Sequence, residues 1–120
     1  MIVDDERDSR SLFRRLLEFY GFPVIEAADG LEALQKVRQM RPGLILLDLS
    51  MPRMDGWLVA RSLRSDPGLS KMPIIAVSAN ARPGDRARAL AEGCDDYVIK
   101  PFEVAELVEK VFNRLHMEPV

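Results

Sequence analysis

Leu44-Ile45-Leu46-Leu47-Asp48 runs on into Leu49-Ser50-Met51-Pro52-Arg53-Met54-Asp55-Gly56, and how this stretch is read decides the fold. Four consecutive aliphatic residues, entered from Pro42-Gly43 and left toward Pro52 and Gly56, predict a strand buried on both faces, since a half-buried strand would alternate with polar residues. Such a strand belongs in a parallel sheet between helices. Asp48 then holds a carboxylate rigidly at the edge where open α/β sheets bind their ligands.

Strand and helix alternate on both sides of this stretch. Met1-Ile2-Val3 is a short apolar strand segment running into Asp4-Asp5. Residues 7–20 read as a helix with Leu12, Leu16 and Tyr20 on one stripe and Phe13 and Leu17 beside it, stopped by Gly21. Residues 23–27 are a short strand, and a second helix after Asp29-Gly30 carries Leu31, Leu34, Val37 and Met40 inward. Asp55 suits the N-cap of a third helix over 56–65 with Val59 and Leu63 inward, broken by Asp66-Pro67-Gly68. Ile74-Ile75-Ala76-Val77-Ser78 is a second continuous apolar strand, residues 85–92 an alanine-rich helix ended by Gly93, and residues 97–99 a last strand ending at Lys100-Pro101. The final helix has Val104, Leu107, Val108, Val111, Phe112 and Leu115 on a broad apolar face. Five such repeats with no linker predict one α/β domain over 1–120, a parallel sheet with helices on both faces. The strands starting at Leu44, Ile74 and Tyr97 read as central.

Composition narrows the function. At 48% hydrophobic and 30% charged residues the chain is globular rather than disordered. A net charge of −2 argues against direct nucleic-acid binding. Arg7, Arg10, Arg14 and Arg15 recur at helical spacing and read as a solvated helix face. Cys94 is the only cysteine, which excludes an intrachain disulfide and favours a reducing compartment. No apolar stretch reaches the length of a membrane span, and the N-terminus has no apolar signal region. The expected location is the cytoplasm.

The polar residues fall where the strands stop: Asp4-Asp5, Asp48, Ser78 and Lys100. In a parallel sheet those ends share one edge, so acids, a hydroxyl and an ammonium converge. Close carboxylates repel one another and call for a cation. Hard oxygen ligands suit Mg²⁺, with Mn²⁺ as a possible substitute, bound by one or two carboxylates and phosphate oxygens. A site with Mg²⁺, a lysine and a hydroxyl can neutralise a phosphoryl group, and Asp48 is positioned to attack phosphorus. Singly, each residue has a structural explanation: Asp4-Asp5 could serve a helix N-terminus, Asp48 could cap a turn, Ser78 could satisfy loop backbone, and Lys100 could be solvated. Their coincidence at four different strand ends is what favours chemistry.

Val3-Asp4-Asp5-Glu6, Leu47-Asp48-Leu49-Ser50-Met51-Pro52 with Asp55-Gly56, Val77-Ser78-Ala79 and Lys100-Pro101-Phe102, in this order and spacing, resemble the receiver domain of two-component response regulators along essentially the whole chain. The resemblance implies a flavodoxin-like fold with strand order 2-1-3-4-5 and five helices. It implies that Asp48 accepts a phosphoryl group from a histidine kinase, a histidine phosphotransfer protein or a small phosphodonor. Asp5 and Asp48 would bind Mg²⁺ directly, Asp4 through water, and the Ser50 backbone carbonyl would be a further ligand. Lys100 would meet the phosphoryl oxygens, and Lys100-Pro101 would be cis. Ser78 and Tyr97 would form the switch: the hydroxyl moves to the phosphoryl group, the ring turns inward, and the surface of the fourth helix, fifth strand and fifth helix changes for a downstream protein. Such a domain catalyses only its own phosphorylation and dephosphorylation. Pairing of two copies through the last helices is compatible with the family.

The chain departs from the family in its short first strand, with three residues before Asp4, which tilts the expectation toward a piece cut from a hybrid kinase or larger regulator over a stand-alone protein. The switch hydroxyl is serine rather than the commoner threonine. Ser50 and Asn80 stand at positions that tune acyl-phosphate lifetime in the family. Three rivals fit less well. An Asp-nucleophile phosphatase of the haloacid dehalogenase type places its acid where Ser50 stands. A degenerate docking receiver would lack an acid or the lysine. A flavin-binding loop would put phosphate against Asp4-Asp5-Glu6. Trp57, Cys94 and His116 read as structural.

Overall fold

The computed structural model describes residues 1–51, 56–79 and 82–115. Its elements run β1 (Ile2–Val3), α1 (Arg7–Phe19), β2 (Glu26–Ala27), α2 (Gly30–Met40), β3 (Ile45–Asp48), α3 (Gly56–Ser65), β4 (Ile74–Ser78), α4 (Asp85–Ala91), β5 (Asp96–Ile99) and α5 (Val104–Arg114). All strand pairs are parallel, in the order β2-β1-β3-β4-β5. This is the flavodoxin-like order that the motifs implied.

The unbroken apolar runs are buried on both faces because successive side chains serve two cores. Ile45 and Leu47 join Val3, Val37, Val59 and Leu63 on one side. Leu46 joins Ile2, Phe13, Leu17, Leu107 and Val111 on the other. Every residue of β3 and of β4 is buried. Removing a strand of this kind from water supplies about 25 cal/mol per Å² of apolar surface.

Several expectations need correction. β5 lies at the sheet edge rather than the centre, and Ile99 is 48% exposed. An apolar run reports coverage of a strand's two faces, here by α4 and α5, and carries no information about its free edge. Leu12, Tyr20, Leu31 and Met40 are exposed: Leu12, Leu31 and Met40 lie on the flank of their helix stripes while Phe13, Leu17, Ala33, Leu34 and Val37 take the centre, and Tyr20 is the C-cap beyond the end of α1. β2 is confined to Glu26–Ala27. The arginine face of α1 is only partly solvated. Arg10 and Arg14 turn to Glu26 at 3.2 and 2.7 Å and donate to the carbonyls of Asp4 and Val24.

Other readings hold. Cys94 is buried, and burial pushes its thiol up to about 11. Lys100-Pro101 is cis. Trp57 is partly buried and packs on the core. Among the described residues no helix is long and apolar enough to cross a membrane. The expectations for Asp55, Asn80 and His116 lie outside the described residues.

Candidate functional site

The register brings the strand ends together. Asp4 follows the last residue of β1, Asp48 ends β3 opposite Val77, Ser78 ends β4 opposite Ile99, and Lys100 follows β5. Carboxylate oxygens of Asp4, Asp5 and Asp48 lie within 4.8 Å of one another. Asp4 and Asp48 are buried, whereas Asp5 is exposed. Lys100 Nζ reaches into the group, 3.3 Å from Asp4 Oδ2 and 4.0 Å from Asp48 Oδ2. Behind it, Phe13 and Phe102 stack with centroids 5.4 Å apart, an apolar wall beside the lysine, whose Nζ is 5.7 Å from the Phe13 ring.

The two buried acids are held differently. Asp4 uses both oxygens within the protein: Oδ1 accepts the Glu6 amide at 2.9 Å, and Oδ2 accepts the Ser9 hydroxyl at 2.6 Å as well as Lys100 Nζ. Asp48 Oδ1 accepts the Ser50 amide at 2.7 Å. Burial pushes the Asp48 carboxyl above its ordinary value, the Ser50 amide opposes this, the Asp4 charge adds to it, and Lys100 opposes it again. One ammonium does not offset three acids. The surplus negative charge, presented on oxygens with Asp5 exposed, suits a hard divalent cation.

Ser78 is buried on the far side of Asp48, where it lines a cavity of about 180 Å³ with Ser50, Trp57, Arg82, Asp85 and Arg88. Tyr97, paired with Ala76 in the sheet, is 5% exposed and packs with the cluster containing Ala89 and Cys94. Its ring is inside, so the alternative of an edge tyrosine with its hydroxyl in water is not what is observed. That hydroxyl is buried and, among the described residues, lacks a hydrogen-bond partner. Sequence reasoning missed two features. Ser9 joins Asp4 and Lys100, accepting from Lys100 Nζ at 3.1 Å. Arg88 lies over Trp57, 4.0 Å from the ring centroid. The only signal for Ser9 was its place one helical turn after Asp5.

Fold and site together define an α/β protein with an acid–lysine cluster, two of its three acids buried, at the carboxyl edge of a five-stranded parallel sheet. The family model described as response regulator receiver domain matches residues 1–112, and the chain belongs to that family of two-component signalling domains. It is 40% identical over 115 residues to the polar-differentiation response regulator DivK of Brucella anthropi, across 96% of this chain and 94% of that protein. The signal receiver domain of a signal transduction histidine kinase from Syntrophus aciditrophicus superposes with a TM-score of 0.88 at 32% identity, covering 96% of this chain and 87% of that one. A CheY-like response regulator receiver domain protein from Methanospirillum hungatei gives 0.87 at 30% identity, covering 96% and 90%.

Proposed function

We propose that residues 1–120 form one phosphoacceptor domain in which Asp48 takes a phosphoryl group from the phosphohistidine of a histidine kinase or histidine phosphotransfer protein. The observation that carries this reading is Lys100 Nζ standing between Asp4 and Asp48, 3.3 and 4.0 Å away, where an ammonium can meet a phosphoryl group bound to Asp48. Asp5, Asp48 and the Ser50 backbone carbonyl would hold Mg²⁺ (or Mn²⁺) directly. Asp4, whose oxygens are both engaged, would act through water. The cation supplies charge neutralisation at the phosphoryl oxygens. Asp48 is the nucleophile, with its Oδ1 fixed by the Ser50 amide. Lys100 offsets the charge gathering on the transferred group.

The signal passes from Ser78 to Tyr97. A phosphoryl group that bonds Ser78 biases the loop after β4, and the packing of Tyr97 against α4 responds, altering the surface of α4, β5 and α5 for a downstream protein or a second copy. The domain works in the cytoplasm, in keeping with its single buried thiol.

The test is intact mass after incubation with phosphoramidate and Mg²⁺. The expected result is a gain of one phosphoryl group, absent with EDTA and absent in Asp48→Asn. No gain in the wild type, or a gain that survives Asp48→Asn, overturns the assignment.

A further inference from the structure

The face of the site away from Lys100 carries charge of the opposite sign to the acidic cluster. Its cavity, about 180 Å³, is lined by Ser50, Trp57, Ser78, Arg82, Asp85 and Arg88. Two guanidinium groups against one carboxylate leave that lining net positive. Asp85 is already engaged, accepting the Arg82 amide at 3.0 Å. Among the described residues neither Arg82 nor Arg88 is paired with a carboxylate. Arg88 instead lies over Trp57, its Cζ 4.0 Å from the ring centroid, and its N–H donors make no side-chain hydrogen bond among the described residues, so they are available to a ligand. Ser50 joins this cavity to the acidic cluster, since its amide holds Asp48 Oδ1 at 2.7 Å. The space is open to solvent and, at about 180 Å³, below the ~300 Å³ of ordinary ligand pockets, which suits a small anion.

We propose that Arg82 and Arg88 recognise the leaving group of a small acyl phosphate, and thereby set which low-molecular-weight donors phosphorylate Asp48. The inference rests on the phosphoacceptor reading above. An Asp48 oxygen attacks phosphorus, and the bond from phosphorus to the bridging acyl oxygen breaks. Its electron pair stays on that oxygen, so a carboxylate departs and Asp48 becomes an acyl phosphate, with no proton transferred. Negative charge grows on the departing carboxylate, and guanidinium N–H donors suit it. Phosphoramidate differs in this respect: its P–N bond breaks toward neutral ammonia, which gives the arginines no growing charge to offset.

The experiment compares rates of Asp48 labelling by acetyl phosphate and by phosphoramidate, with Mg²⁺, followed by intact mass on the full chain. In the Arg82→Ala/Arg88→Ala double variant the ratio of the two rates falls about tenfold. Arg88→Lys, which keeps the charge and loses the planar fork, gives an intermediate ratio. Arg86→Ala removes the same charge from α4 at a residue that does not line the cavity and keeps the wild-type ratio. An unchanged ratio in the double variant, an equal fall with both donors, or the same fall in Arg86→Ala overturns the proposal. Wild-type labelling by phosphoramidate but not by acetyl phosphate overturns it alone. Labelling by neither donor overturns it together with the phosphoacceptor reading.

Discussion

Gly56 is fitted against the main chain of Asp48: a Cβ on Gly56 would lie 2.5 Å from the Asp48 carbonyl oxygen and 2.9 Å from the Leu49 Cα. These atoms have little freedom to yield, because the Leu49 amide donates to the Val77 carbonyl at 2.9 Å within the sheet. The first turn of α3 therefore rests directly on the strand end that presents the central acid. Gly56→Ala is expected to destabilise the fold by about 2–3 kcal/mol through overpacking, read as a lower urea midpoint at unchanged slope. A loss well under ~1 kcal/mol would mean that α3 can slide away from β3 freely.

Gly93 and Arg64 make a second close fit. Gly93 has φ +107, and a Cβ there would meet Arg64 Cγ at 2.6 Å. Arg64 in turn donates to the carbonyls of Gly93, Ser70 and Met72 and to Asp95 Oδ2, which ties α3 to the segments leading into β4 and into β5. Gly93→Ala should cost about 2 kcal/mol through strain at positive φ and the clash, and Arg64→Ala about 2 kcal/mol through lost charged hydrogen bonds. Because both changes break one contact, the double variant should lose less than the sum, which chemical denaturation measures.

Asp96 gives a pH dependence with a defined sign. Burial disfavours its charge, but the Lys110 hydrogen bond, the Tyr97 amide and the Lys110 and Arg114 charges outweigh burial, and the carboxyl titrates below its usual range. A carboxyl depressed by folding contributes stability above its unfolded pKa and loses it as pH falls through the folded value. Lys110→Ala, removing the 2.9 Å partner, should lower stability by about 1 kcal/mol at neutral pH. The difference should shrink as acid protonates Asp96, in melts recorded from pH 7 downward.

Asp48 behaves in the opposite sense. Its carboxyl is raised by burial first and by Asp4 as well, so the metal-free folded state binds its proton more tightly than the unfolded chain. Stability then declines as pH rises from the ordinary aspartate value through the raised one. Asp48→Asn removes that penalty and should melt higher than wild type in EDTA at neutral pH. Mg²⁺ at a hundred times its dissociation constant should add about 2.7 kcal/mol to the wild type and less to the variant. A variant that melts lower in EDTA would contradict the electrostatic account.

Sequence read most reliably where one physical demand dominated. Ile45–Asp48 and Ile74–Ser78 had to be strands covered twice, and their polar ends then had to meet. Helix flanks were less legible: periodicity identifies an apolar stripe but cannot rank its centre above its margin, so Leu12, Leu31 and Met40 were placed inward and are exposed. The edge position of β5 was hidden from its own apolar run for a related reason, since strand order is a property of neighbours, and only the order implied by the motifs put it there. Ser9 was missed because a serine in the first turns of a helix looks like surface until a lysine from the far end of the chain, 91 positions away, arrives beside it. The Arg88–Trp57 pair likewise joins two helices whose meeting no local pattern announces.

That pair also gives the molecule an intrinsic optical reporter. Trp57 is the single tryptophan, and it sits at the base of α3 beneath a cation supplied by α4. Any event that parts the two helices or draws Arg88 toward another anion changes the electric field across one indole. Its emission can therefore be followed in real time, unlabelled and without interference from a second fluorophore of its kind.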